Sequence, residues 1–453
     1  MAACLAQFVT VLDVSVVNVA LPAIQDGLGF EAGELPWVAN GYSLAFGGFL
    51  LLGGRCADLY GRRRVFLAGV ALFGGASLLA GVATSPALLV VARVVQGLGG
   101  AALSPATLAI VTGTFTDDRA RRGALGTWSA VGAVGGAAGG ILGGALVQWA
   151  DWRWIFLINV PIAVAIGALA FKLLSRDHRA ARQRLDVGGA ISATGGLIAL
   201  VYGTTVLQDG DYGNPLTYTP FAVAIVLFAT FAVIERRVRD PLLPPGFLTK
   251  RPGLTVNLVM AALGCVAFAT WYLGALFLQR ILGLGAWHAG LALLPQAACI
   301  VVGARLASRV PSRIPPERIV SAGTAAVVAG LAWFSFLDAT SAVTGVVLPG
   351  MLVTFGLGLS FGPLAGLATA TTGKQDTGLA AGLLSTFRQI GAALGLALLV
   401  WMAAARTTAL AGTGIPALEA EAAGFARAFL VAAAPAVVAT VLALSIRSDR
   451  HTG

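Results

Sequence analysis

Gly54-Arg55-Cys56-Ala57-Asp58-Leu59-Tyr60-Gly61-Arg62-Arg63-Arg64 separates two apolar runs, residues 37–52 and 65–82. Each run is about long enough to cross a hydrocarbon core of roughly 30 Å at a rise of about 1.5 Å per residue. The stretch therefore reads as a tight hairpin between two membrane helices. Gly54 and Gly61 suit close backbone approach or a positive φ, and arginines at a membrane exit favour the anionic cytoplasmic leaflet. The hairpin is expected to face the cytoplasm and to orient the rest of the chain.

The 453 residues are 57% hydrophobic and only 11% charged, with a mean hydropathy of +0.85, whereas a soluble domain is about 25% charged. The composition is that of an all-α polytopic membrane protein embedded in a lipid bilayer, because barrel strands would show alternating segments of roughly ten residues. The net charge of +10 sits in short loops between spans, as the positive-inside rule produces, so no nucleic-acid partner is expected. Cys4, Cys56, Cys265 and Cys299 show no paired spacing, which points to neither a disulfide framework nor a metal site. No Walker lysine loop, HExxH or Gly-x-Ser-x-Gly elbow occurs, so neither an enzyme nor a cofactor is expected.

Residues 1–21 read as a first helix and not as a signal peptide, having no basic n-region and no cleavage site. Further spans are expected at 36–53, 65–83, 86–111, 124–147, 154–173, 187–207, 219–235, 254–281, 288–307, 319–337, 343–371, 382–404 and 425–446, fourteen in all. Of 30 Lys and Arg, 23 fall on the side of Arg62 to Arg64. Only Arg153, Arg280, Arg406 and Arg427 fall opposite, which places both termini in the cytoplasm of a cell-membrane protein. Ala304-Arg305-Leu306-Ala307-Ser308-Arg309-Val310-Pro311-Ser312-Arg313 aligns without a gap to residues 54–63, with Ser308 in place of Asp58. Gly356-Leu357-Gly358 before Pro363 echoes Gly97-Leu98-Gly99 before Pro105. These repeats predict two six-helix bundles, residues 1–175 and 253–453, with two helices inserted between them over residues 176–252. Basic linkers at 172–184 and 235–251 flank the insert.

Asp13 is the one carboxylate placed deep in a span. A charge there costs about 2.5–3.5 kcal/mol on insertion scales, so such a residue faces a partner or a cavity. Arg93, about two turns inside its helix, is the natural partner, and an acid beside a movable arginine changes its hold on a proton as the protein changes state. Gly132, Gly136, Gly140 and Gly144, with Gly135, Gly139 and Gly143, give the fifth helix two rows of glycine at a four-residue period. Such a strip lets another helix pack close, as a sliding seal or as a rigid seam. Asn18, Tyr42, Gln96, Gln279, Arg388 and Gln389, together with Trp271, are polar or aromatic groups in apolar helices. They either line a cavity for an amphiphilic small molecule or make ordinary interhelical contacts.

Taken together, Leu12-Asp13-Val14-Ser15-Val16-Val17-Asn18-Val19-Ala20-Leu21-Pro22, the 54–64 hairpin, Arg93-Val94-Val95-Gln96-Gly97 and Trp152-Arg153-Trp154-Ile155-Phe156-Leu157-Ile158-Asn159-Val160-Pro161 resemble the fourteen-helix drug:proton antiporters of the major facilitator superfamily. The resemblance covers essentially the whole chain. It implies a monomeric exporter of amphiphilic drugs or antibiotics in exchange for protons. In that family Gly54, Asp58, Gly61, Arg62 and Arg63 would form a cytoplasmic latch, Arg93 would take part in proton coupling, and the glycine strip would be the antiporter motif. Gly140 stands where the family strip usually has proline, and the later helices lack an acid for dicationic drugs. A facilitator for a metabolite or nutrient would share the fold, and a non-transporting sensor would need a signalling domain that the sequence does not show.

Overall fold

The arginine-rich hairpin is almost entirely helix. In the computed structural model, which describes residues 1–30, 35, 37–115, 117–174, 186–208, 214–238, 253–310, 314–370 and 377–446, α2 (Trp37–Tyr60) runs on through Asp58. Helix α3 (Arg62–Gly81) begins two residues later, so Gly61 alone makes the turn. Its φ of 98° is one that L side chains rarely adopt, which is why glycine stands there.

Helix α1 (Ala2–Leu28) ends at Gly29, whose left-handed backbone returns its N–H to the Gln25 carbonyl. Helix α4 (Pro86–Thr114) starts where the Ser85 side chain accepts from the Leu88 N–H, with a proline in first position. Helix α5 (Asp118–Trp149) starts in the same way on Asp117. The next span breaks into α6 (Trp154–Leu157) and α7 (Asn159–Leu173), because Pro161 has no N–H to return to the preceding turn. There follow α8 (Val187–Gln208), α9 (Thr219–Glu235), α10 (Gly253–Leu276), α11 (Ala286–Arg309), α12 (Pro316–Phe334), α13 (Val343–Ala370), α14 (Thr377–Ala411) and α15 (Ala417–Ser445). No strand occurs among the described residues. Among the described residues ten helical stretches are long and apolar enough to cross a membrane, and α1, α2, α8 and α12 pack among them. Helices α14 and α15 begin five or more residues before the predicted apolar windows, since alanine- and leucine-rich ends continue a helix past the hydrocarbon edge. The predicted linkers at 176–184 and 239–251 lie outside the described residues.

Helix α1 packs on α5 and α4, α2 on α4, and α3 on α4 and α7; in the second half α11 and α12 pack on α13, α10 on α14 and α15, and α12 on α15. Two seams join the halves: α2 against α14, and α5 against α11 and α13. The α8–α9 pair leans on α2 and α14, where Leu51, Ala190, Ala193, Leu379 and Leu383 form a buried apolar cluster.

The repeat is visible in the contacts. Gly378 of α14 sits against Asp58 and the Gly54 carbonyl, as Gly126 of α5 sits against Ser308 and the Ala304 carbonyl. Gly139 and Gly143 press on the backbone of α1 at Leu12 and Val16, as Gly391 and Gly395 press on α10 at Ala261 and Cys265. The two glycine triplets do not share a register. Gly97 packs on Tyr42 of α2, whereas its sequence match Gly356 packs on Gly323 and Val327 of α12. By contact, Gly356 corresponds to Gly99, which packs on Phe73 of α3.

Candidate functional site

Asp13 lies midway along α1, about 16 Å from the start of the helix at 1.5 Å per residue, and is 1% exposed. Arg93 Nη1 ion-pairs with Asp13 Oδ2 at 2.5 Å. The same nitrogen donates to Gln96 Oε1 at 2.6 Å, and Arg93 Nε donates to the Val38 carbonyl at 2.9 Å. Asp13 Oδ1 accepts from Gln96 Nε2 at 2.7 Å and from Asn159 Nδ2 at 2.9 Å. Gln96 Nε2 also donates to Ser77 Oγ at 2.8 Å. The guanidinium lies 4.5 Å from the Tyr42 ring centre and 5.7 Å from that of Phe156, within cation–π range. Helices α4 and α7 bond the carboxylate directly, α2 and α3 are tied in through Arg93 and Gln96, and the break before Asn159 is what brings that amide to it.

Breaking a buried ion pair by removing one partner costs about 3–5 kcal/mol, while apolar replacement of both is often neutral. Stability alone therefore gives no reason for this cluster. Its chemistry does, because a protonated Asp13 would turn an acceptor into an O–H donor, and arginine offers only donors. Asn159 and Ser77 were not singled out in the sequence, where one amide or hydroxyl in an apolar helix has no pattern to mark it.

At the Gly61 end, Asp58 reaches across the first seam. Its Oδ1 accepts from the Gly378 N–H at 2.8 Å and its Oδ2 from the Leu379 N–H at 2.6 Å, capping the first turn of α14, where N–H groups have no helical partner. Arg62 donates to Thr377 Oγ1 at 2.9 Å and to the Ala109 carbonyl at 3.2 Å. Gly54 permits the approach, since a Cβ there would stand 2.5 Å from the Gly378 carbonyl oxygen. Arg63 donates to the Phe171 carbonyl at 2.8 Å and lies over its ring. At the second seam Gly126 is two turns inside α5 and its N–H is already bonded within the helix. Ser308 there bonds to the Arg305 carbonyl instead, at 2.8 Å.

Of the glycine strip, Gly135, Gly139 and Gly143 touch the α1 backbone, and Gly132 and Gly136 lie beside Gln7 and Val11. Gly140 faces open space, and Gly144 is half-buried. The strip is narrower than the two sequence rows suggest, and it joins two helices of the same half.

The polar candidates for one cavity are not brought together. Tyr42 and Gln96 belong to the Asp13 cluster. Gln279 is exposed in the π turn that closes α10, where pairing of Arg280 with Glu421 marks a water-facing end. Trp271 packs against the apolar core of the second half. Gln389 faces Gly47 of α2, Arg388 is half-buried beside it, and the Asn18 side chain lies outside those described.

Comparison with known proteins places this geometry in a lineage. Residues 3–396 match the Major Facilitator Superfamily. The chain is 40% identical over 412 residues to a cephamycin export protein of Amycolatopsis lactamdurans, covering 90% of this chain and 85% of that one. It is 39% identical over 414 residues to a puromycin resistance protein of Streptomyces alboniger, covering 89% and 81%. Among solved structures, a human organic anion transporter superposes with a TM-score of 0.69 at 13% identity, covering 98% of both chains. A proton:xylose symporter gives 0.66 at 12% identity, covering 98% and 94%. These two likenesses concern the fold alone.

Proposed function

The chain belongs to the Major Facilitator Superfamily and is a multi-pass membrane transporter, and we propose that it exports amphiphilic, antibiotic-like small molecules from the cell in exchange for protons. Export of such molecules is supported by the relatives at 40% and 39% identity, a cephamycin export protein and a puromycin resistance protein. Proton coupling rests on one observation: the buried Asp13, held by Arg93, Gln96 and Asn159. A proton entering down its gradient supplies about 2.3 kcal/mol per 100 mV. That is enough for more than tenfold accumulation if taking up the proton and releasing the substrate alternate.

In this scheme Asp13 carries the proton and Arg93 sets when it leaves, while the halves rock about a substrate held between them. Asp58 and Arg62 hold the cytoplasmic ends together in one state of that cycle, a reading supported by their bonds to α14. The protein crosses the cell membrane fourteen times as a monomer, with both termini in the cytoplasm and residues 176–252 forming an inserted pair between bundles 1–175 and 253–453.

The test is Asp13→Asn in liposomes with a pH-sensitive dye inside and a panel of lipophilic antibiotics and dyes outside. The variant is expected to lose proton-linked transport while keeping downhill substrate exchange. Proton movement against substrate at the wild-type rate would overturn the assignment of Asp13.

A further inference from the structure

Arg93 and Arg388 both stand inside long helices among buried neighbours, and they differ in one respect. Arg93 has its acid. Arg388, the twelfth residue of α14 and about 16 Å along it, makes no hydrogen bond or ion pair among the described residues. Its face of the helix is turned inward: Ala381, Leu384, Ser385, Gly391, Ala392 and Gly395, at three, four and seven residues from it, are all buried. The lipid face of α14 lies elsewhere, on Leu394, Leu398 and Trp401. Arg388 itself is nonetheless only half-buried. The adjacent Gln389 lies against Gly47 of α2, which puts this stretch of α14 at the seam between the halves.

No acid among the described residues pairs with it. Besides Asp13, every Asp and Glu lies in a connecting segment or within about two turns of a helix end. The contact repeat that pairs Leu12 with Ala261 and Val16 with Cys265 puts Ala262 where the first half has Asp13. A cation at this depth is costly unless something pairs with it. We propose that Arg388 binds an acidic group, a carboxylate or its equivalent, on the exported molecule, so that the transporter is selective for amphiphilic acids. This rests on the exporter reading above and adds a substrate class to it. The guanidinium fork matches a carboxylate with two parallel N–H···O bonds, and Gln389 supplies a neutral amide next to it.

The test uses the full chain in an efflux-deficient bacterial host challenged with antimicrobials of similar size and hydrophobicity in three classes: carboxylic acids, neutral compounds and amines. Wild type is expected to protect best against the acids. Arg388→Gln should cut that protection about tenfold or more, the loss of one charged hydrogen-bond pair, while leaving neutral compounds within about twofold. Arg388→Lys should restore part of it. Quantification of membrane-inserted protein through a fluorescent fusion excludes a folding defect, and uniform loss across all classes at normal abundance would show that Arg388 is only structural. Protection confined to amines or neutral compounds, or acids unaffected by Arg388→Gln, would overturn the selectivity while leaving export intact. Protection against no class would remove the exporter reading and this inference with it.

Discussion

Replacing Asp58 should open the molecule at one end without weakening its hold on substrate. The carboxylate caps α14 through the Gly378 and Leu379 N–H groups at 2.8 and 2.6 Å, and both bonds cross from one half to the other. Loss of an N-cap costs about 0.5–2 kcal/mol, and each hydrogen bond to a charged acceptor about 1.5–3 kcal/mol. Water replaces part of this once the seam parts, so about 2 kcal/mol is a reasonable net figure for Asp58→Ala. At 1.36 kcal/mol per decade the closed-to-open ratio falls about thirtyfold. Asn keeps one acceptor and loses the charge at the helix terminus, worth about 0.3–1 kcal/mol, so Asp58→Asn should shift the ratio by about fivefold or less. Nitroxides at Tyr60 and Ala370, both exposed, in a background lacking Cys4, Cys56, Cys265 and Cys299, would report the two populations as a short and a long distance. The order expected is wild type, Asn, Ala, with ligand affinity within a few-fold throughout. An unchanged distance distribution in Asp58→Ala would refute the latch, and a large loss of affinity would place Asp58 in binding.

Gly139→Ala should lower the unfolding temperature in detergent, because its Cβ would run into the Ser15 side chain and the Leu12 carbonyl and overpacking costs about 1–3 kcal/mol. Gly140→Ala, with nothing within 4 Å, should be neutral or stabilising by up to about 1 kcal/mol. Arg93→Gln should reduce the yield of folded protein, since it leaves Asp13 uncompensated at a cost of about 3–5 kcal/mol. Adding Asp13→Asn should recover yield on size exclusion without recovering proton-driven transport. The carboxyl of Asp338, between α12 and α13, is held below its ordinary value of 3.8 by hydrogen bonds from the side chains of Thr340 and Ser341 and the Thr340 N–H. A lowered folded value means that this loop's order is complete above pH 3.8 and fades as pH falls through the folded value. Amide exchange over residues 338–342 should quicken there, and Asp338→Ala should remove the dependence.

What could be read in the sequence was what is local to it. Apolar runs located the helices, since membrane helices satisfy their backbone within the segment, but not all their ends: α1 and α2 run on for seven residues and α15 starts eight early. Asp13 and Arg93 could be paired by elimination, one deep acid and one deep base of the same half. Asp58 could be seen, but not its partner, because an N-cap supplied from 320 residues away leaves no trace in either segment. The same holds for Asn159, placed at Asp13 by a helix break and not by spacing. The two glycine rows of α5 looked equivalent, yet a helix offers a neighbour one face, and Gly140 falls off it. Ser308 looked like a repeat that had decayed. Its opposite helix begins two turns earlier than α14 does, so no free N–H waits there for an acid.

The inserted α8–α9 pair gives the two seams unlike neighbours. Ile198 of α8 sits in the notch at Gly48 of α2, and Val201 lies over Gly47 close to Gln389 of α14, so along this flank lipid tails meet α8 and α9 before they meet the junction of the halves. The α5–α11 junction has no such cover among the described residues. Among the described residues the first junction is thus shielded from the bilayer and the second is not, so the two seams work in unlike surroundings.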